Sequence, residues 1–210
     1  MKMQVNLVGK ATKQAREGWD ENYRIVPYAQ LPWEKNRPDE ELVRLIKEGK
    51  IPDGKILDIC SGSGTQSLFL TERGFDVIGI DISPTAVKIS RERAKESGLE
   101  SKFMEGVSYN LKFGDEEFTF VYDRGCFHHV PPNLRGDFVR GVHRILKKGG
   151  RYNVQAFSTK TNWKQENVFS LENIEGYFSG YFKVLEANEV IHREPGGNKV
   201  CLWSVLMEKI

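Results

Sequence analysis

The residue pattern best suited to chemistry is Asp58-x-Cys60-x-Gly62-x-Gly64, followed nineteen residues after Gly62 by Asp81. Glycines let backbone N–H groups come close to a ligand. A carboxylate closing the next strand accepts hydrogen bonds from both hydroxyls of a ribose. The set therefore reads as a seat for an adenosine-type ligand, the plain alternative being a tight turn beside a surface aspartate. A dinucleotide fingerprint would put a third glycine where Ser67 stands. Asp58 also puts a carboxylate where a pyrophosphate would be repelled and an ammonium welcomed. A second group is Asp123-Arg124-Gly125-Cys126-Phe127-His128-His129. Here His128 and His129 are candidate substrate contacts or general bases, with loop packing as the other reading, and Cys126 is expected to be a small buried filler.

Composition limits what else the chain can be. It has 210 residues, 31 basic against 29 acidic, and 39% hydrophobic side chains. The near balance of charge argues against a strongly basic nucleic-acid binder, and no apolar run approaches the ~20 residues of a membrane span. Cys60, Cys126 and Cys201 are odd in number and widely spaced. They predict neither a disulfide framework nor a zinc site, so no metal is expected. With no secretory segment at the start, the expected location is cytoplasmic. Oligomeric state is not readable from the chain.

The elements that must position these residues alternate in type. A helix is expected over Ala11–Tyr23, then an extended path through Pro27 and Pro32. A second helix starts at Pro38 and is closed by Gly49. Strands are expected at Lys55–Cys60, Asp76–Asp81, Ser101–Glu105, Phe118–Asp123 and Arg151–Phe157. Helices intervene around Leu68–Leu70, from the Ser83-Pro84 cap to Gly98, over Pro131–Leu146 and over Ser170–Phe178. Two closing strands, Tyr181–Ile191 and Lys199–Met207, are separated by Pro195-Gly196-Gly197 with no helix between them, so they pair antiparallel. The expected fold is α/β: a doubly wound, mostly parallel seven-stranded sheet with an antiparallel C-terminal hairpin. Residues 1–37 are expected to form a lid or cap and 38–210 the ligand-binding domain. Trp19, Tyr23, Tyr28 and Trp33 give that first segment an aromatic character, suited either to packing or to shielding a cation.

Ile56-Leu57-Asp58-Ile59-Cys60-Ser61-Gly62-Ser63-Gly64, Gly79-Ile80-Asp81-Ile82-Ser83 and Leu146-Lys147-Lys148-Gly149-Gly150-Arg151 resemble the class I S-adenosylmethionine-dependent methyltransferases. The likeness runs from about residue 38 to the C-terminus. A narrower resemblance, to the thiopurine and tellurite-resistance branch, rests on Trp19-Asp20, Pro32-Trp33 and the run from Tyr122 to His129. The ammonium and sulfonium of S-adenosylmethionine also suit Asp58. The resemblance implies that Asp58 and the backbone at Cys60, Ser61, Gly62 and Gly64 surround the methionine part. Asp81 would hold the ribose, Ile82 would pack on adenine, and Val107 and Ser108 would lie at its edge. Asp123 and Arg124 would line the methionyl and substrate side, with Trp33 covering the cofactor. Two positions depart from the pattern. Cys60 replaces the first glycine, which is tolerable if its φ stays negative, and Val107 stands where an acid for the adenine amine is expected.

The implied reaction is in-line methyl transfer to a small-molecule acceptor, with a thiol or chalcogen nucleophile preferred. O- or N-methylation of a metabolite with a histidine base is an alternative, as is a non-catalytic cofactor-binding scaffold. RNA and protein are disfavoured. The Asn/Asp-Pro-Pro-aromatic signature of nucleic-acid amino-methyltransferases is absent after the fourth strand. A membrane partner is not expected.

Overall fold

The computed structural model describes residues 2–193 and 199–210, so the expected Pro195-Gly196-Gly197 turn lies outside the described residues. Seven strands form one sheet in the order β3-β2-β1-β4-β5-β7-β6. They are β1 (Lys55–Ile59), β2 (Asp76–Asp81), β3 (Lys102–Glu105), β4 (Phe118–Arg124), β5 (Leu146–Phe157), β6 (Phe182–Arg193) and β7 (Lys199–Lys209). Pairings among β1 to β5 are parallel, whereas β7 runs antiparallel to both β5 and β6. The doubly wound sheet with a closing hairpin is as expected.

Alternation along β1 sorts the core. Leu57 and Ile59 join Val121, Phe138, Val142, Tyr152, Ile174 and Phe178 in one buried cluster, under α5 (Arg135–Ile145) and α6 (Leu171–Phe178). Ile56 points the other way, to Leu42 and Leu45 of α2 (Glu40–Lys47) and to Phe69 and Leu70 of α3 (Thr65–Thr71). α4 (Pro84–Glu96) packs Val87 and Ala94 against Leu68 and Phe103. β1 to β3 are added toward one edge of the sheet and β4 onward toward the other, so the winding order switches between the parallel neighbours β1 and β4. The crevice for ligands therefore lies beyond the C-terminal ends of those strands.

Several boundaries differ from expectation. α1 spans Lys2–Ile25 rather than Ala11–Tyr23, because no proline interrupts the chain before Pro27. Pro38 precedes α2 instead of starting it. Asp39 is the cap, and its carboxylate accepts from the Glu41 N–H at 3.2 Å. A short turn over Pro132–Leu134 comes before α5, which begins at Arg135. β5 starts at Leu146 because its register against β4 shifts between Phe118 and Phe120, absorbing the Lys147–Gly150 segment.

Candidate functional site

The site is built from the β1–α3 turn, the ends of β2 and β4, and the N-terminal segment laid over them. The turn is tight. The Ser61 N–H donates to Ile80 O at 2.8 Å, and Gly62 and Gly64 take φ values of 56° and 84°. Gly62 can hardly carry a side chain, since a Cβ there would meet the Tyr23 hydroxyl at 2.6 Å. Cys60 corrects the expectation of a negative φ. Its φ is 58°, a left-handed conformation that costs a residue with a Cβ about 1–2 kcal/mol. The expectation about cysteines is corrected too, because Cys60 is disulfide-bonded to Cys126, joining the β1 turn to the β4 turn. Adjacency of β1 and β4 brings together two cysteines 66 residues apart, which spacing alone does not reveal. Cys201 is free.

Two carboxylates line this edge. Asp81 is buried and accepts from the Gly62 N–H and the Ser83 N–H, each at 2.9 Å. Each oxygen keeps a lone pair for a further donor. Asp58 is buried one strand away and accepts from the Ser67 hydroxyl at 2.6 Å. Among the described residues neither forms an ion pair. Burial raises Asp81 to about 6. Burial also raises Asp58 to about 7, the Ser67 bond opposing the shift and the Asp81 charge adding to it. Ser61 Oγ is buried in the same turn with no hydrogen-bond partner among the described residues. Unneutralised carboxylates with open lone pairs suit a ligand bearing both hydroxyls and positive charge.

The N-terminal segment clasps this edge at several points. The Asp20 carboxylate accepts from the Ser83 hydroxyl at 2.7 Å and from the Thr85 N–H at 2.9 Å, docking α1 on the start of α4. Arg16 pairs with Glu105 at 2.5 Å, and the Tyr109 hydroxyl donates to Thr12 Oγ1 at 3.0 Å. α1 thereby covers the region of Ile82, Val107 and Ser108. A cleft of about 450 Å³ borders Val107 there, lined also by Thr12, Tyr109 and Asn110. The Trp33 indole donates to the Tyr23 hydroxyl at 3.1 Å over Gly62. Glu34 accepts from the Thr65 hydroxyl at 2.9 Å and from that of Ser63, next to the start of α3.

At the end of β4 the residues divide. Asp123 is fully buried and accepts from the Cys126 and Phe127 N–H groups at 2.7 and 3.2 Å and from the Tyr152 hydroxyl at 2.8 Å. These bonds hold the turn in place. Burial raises Asp123 to about 7. Arg124 donates to Asp39 at 3.1 Å and to Trp33 O at 3.0 Å. His128 is buried and stacked on Phe157, with ring centroids 3.8 Å apart. His129 is half-buried and meets Trp19 edge-on at 4.9 Å. Sequence reading did not single out Asp39, Gln155 and His192. Gln155 Nε2 donates to Asp39 at 2.9 Å, and His192 Nε2 lies 3.6 Å from the same carboxylate. These contacts join α2, β5 and β6, so no local pattern marks them. Asp39 did have a signal, the Pro-Asp-Glu-Glu run of a helix start.

A family profile described as "Methyltransferase domain" matches residues 56–150. The 2-heptyl-1-hydroxyquinolin-4(1H)-one methyltransferase of Mycobacteroides abscessus is 30% identical over 151 residues, 70% of this chain and 66% of that protein. A solved structure concerned with conversion of a disulfide bond into a thioacetal group during echinomycin biosynthesis superposes with a TM-score of 0.84. It is 23% identical, with 93% of this chain and 92% of the other covered. TehB from Haemophilus influenzae superposes with a TM-score of 0.70 at 18% identity, covering 82% of this chain and 62% of the other. The chain spans between about half and two thirds of the length of the first curated relatives it matches, 51% and 66%.

Proposed function

We propose that this chain, which carries a methyltransferase domain on the class I S-adenosylmethionine-dependent fold, transfers a methyl group to a small-molecule acceptor, preferably a thiol or chalcogen nucleophile. The carrying observation is the pair of buried, unneutralised carboxylates Asp58 and Asp81 at the C-terminal edge of β1 and β2, under an aromatic cover. A small-molecule acceptor, of whatever nucleophile, draws support from the small-molecule methyltransferases among the similar proteins.

Asp81 would accept hydrogen bonds from the ribose hydroxyls, and Asp58 would face the ammonium. Ile82, Val107 and Ser108 would flank adenine. The backbone at Cys60, Ser61, Gly62 and Gly64 would surround the methionine part. Bound S-adenosylmethionine supplies a methyl carbon activated for in-line displacement. This chain's work is then to exclude water, through Trp19, Tyr23 and Trp33, and to align the acceptor. A thiolate acceptor needs no strong base, so the neutral His129 beside Trp19 suffices to receive a proton when one must leave. In this reading residues 1–37 act as the lid over a binding domain formed by 38–210. No helix among the described residues is long and apolar enough to cross a membrane.

Calorimetric titration with S-adenosylhomocysteine tests the reading. Wild type is expected to bind, and Asp81→Ala is expected to bind more weakly by about 1–3 kcal/mol, through loss of charged-acceptor hydrogen bonds. Absence of binding by wild type refutes the function. Unchanged affinity in the variant moves the ribose site elsewhere.

A further inference from the structure

The β1 turn holds one residue in a conformation that its side chain opposes. Cys60 has a φ of 58°, at the position where the methyltransferase pattern has its first glycine. Glycine takes that conformation freely, whereas a residue with a Cβ does not. The backbone that follows depends on it. The Ser61 N–H reaches Ile80 O at 2.8 Å, and the Gly62 N–H reaches the Asp81 carboxylate at 2.9 Å. Asp58 stands two residues before Cys60. The strained residue therefore sits between the two carboxylates of the cofactor seat.

The bond to Cys126 supplies a restraint from outside the turn. Cys126 is its fixed end. It is 4% exposed, its N–H donates to Asp123 at 2.7 Å, and its carbonyl accepts from the His129 N–H at 2.9 Å. Asp123 is fastened in turn by the Tyr152 hydroxyl at 2.8 Å. Cys60 is the end free to relax. It is half-buried rather than buried, so its sulfur is the one that a reductant reaches.

We propose that the Cys60–Cys126 pair is a redox-controlled part of the cofactor seat. As a disulfide it holds the β1 turn in its binding shape, with Cys126 the positioning residue. Opened by a dithiol, it lets Cys60 relax, and cofactor affinity falls. In the opening step a thiolate of the dithiol attacks Cys60 Sγ, the S–S bond breaks, and Cys126 leaves and takes up a proton. The second thiol then displaces Cys60, which takes up the other proton, and the dithiol departs as its own disulfide. This rests on the methyl-transfer reading and adds a control on the same site. The competing role is a cross-link that stabilises the fold and leaves the seat alone.

The test titrates S-adenosylhomocysteine calorimetrically into oxidised protein and into protein reduced with a phosphine and freed of the reagent. The phosphine takes the oxygen of one water to become its oxide, and the two hydrogens go to the sulfurs. Reduction is expected to weaken binding by about tenfold, the size of the left-handed penalty. Affinity is expected to recover when diamide, itself reduced to the hydrazine, closes the bridge again. Cys201→Ser is expected to keep the whole response. Cys126→Ala is expected to bind like reduced wild type and to ignore the phosphine. Adding Cys60→Gly to Cys126→Ala is expected to tighten binding again, since glycine needs no restraint there; a mere cross-link gives no such rescue. Equal affinity in the two redox states overturns the proposal, whatever happens to the melting temperature. So does a double variant no tighter than Cys126→Ala, or a native chain in which diamide cannot close the bridge. If neither state binds S-adenosylhomocysteine, the methyl-transfer reading falls instead. Hydrogen exchange at the Ser61 and Gly62 amides of the free chain then decides the restraint: faster exchange after reduction supports it, and unchanged exchange overturns it.

Discussion

At the turn after β4, two adjacent histidines have different hydrogen-bonding capacity. His128 Nδ1 accepts the Phe157 N–H at 3.2 Å, so the proton of its neutral ring sits on Nε2 and that nitrogen can only donate. Burial, reinforced by His129, Arg135 and Arg124, keeps His128 well below the usual imidazole range, so it is neutral throughout the working pH. His128 therefore fixes Phe157 and the turn, and any proton acceptance falls to His129. Burial lowers His129 to about 4, which makes it a weak base. The proposed acceptor class then makes a definite demand. With a thiol acceptor, already partly ionised, His129→Gln is expected to lower kcat/KM by less than about tenfold. A phenol or amine acceptor that depends on the histidine would lose about 10²–10⁴-fold. Measuring kcat/KM against pH for both acceptor types decides it, and a loss in the larger range with thiols sinks the soft-nucleophile reading.

Among the elements, the β1 and β4 turns are the pair whose coupling is most open to measurement. Cys60 and Cys126, 66 residues apart in sequence, cross-link them and close a loop that holds all of α3, β2, α4, β3 and β4. Closing a loop of that length restricts the unfolded chain by up to about 4 kcal/mol. Thiol titration of the native protein is expected to find Cys201 alone reactive, with three thiols after reduction and a lowered melting temperature. Three thiols before reduction, or an unchanged melting temperature, would show that the turns are held without the bond. These two turns also mark how far the site was legible from residues alone. The glycine turn, the end of β2 at Asp81 and the Ser83-Pro84 start of α4 are local patterns, each set by neighbours within a few positions, and the structure forms all three where the sequence puts them. The alternation of strands and helices carried the doubly wound sheet and its closing hairpin in the same way, though not the order of the strands. The Cys60–Cys126 pair, the Asp39–Gln155–His192 contacts and the grip of Asp20 on α4 arise from strands and helices far apart in sequence, so no local spacing announces them. The left-handed Cys60 belongs with these. A non-glycine residue is strained there, and the Ser61 N–H bond to Ile80 O fixes the adjoining turn from the next strand.

Across the whole molecule, a net charge of +2 conceals a separation of sign along one edge of the sheet. Among the described residues Asp58 and Asp81 lie without ion-pair partners at the ends of β1 and β2, whereas Arg124 and Lys35 gather around Asp39. The acidic side sets a pH dependence whose direction is fixed. Burial puts Asp58 at about 7 and Asp81 at about 6 in the folded chain, against an ordinary value of 3.8. At these two groups the folded state thus holds more protons than the unfolded one between roughly pH 4 and 7, while His128, His129 and His192, lowered by burial, hold fewer. The stability these two groups contribute is full below the unfolded value and is lost as pH rises through the folded ones. A ligand that brings an ammonium to Asp58 reverses the balance, because it favours the ionised carboxylates and must displace their protons. Affinity for S-adenosylhomocysteine is accordingly expected to rise from pH 5 to about 7 and then level off, by at most about tenfold per pH unit for each carboxylate that must ionise. Calorimetry at pH 6 in two buffers of different ionisation enthalpy should register protons released on binding. If affinity is flat and no protons leave, Asp58 and Asp81 are not the wall that meets the cation. The acidic side of the crevice would then serve the fold rather than the cofactor.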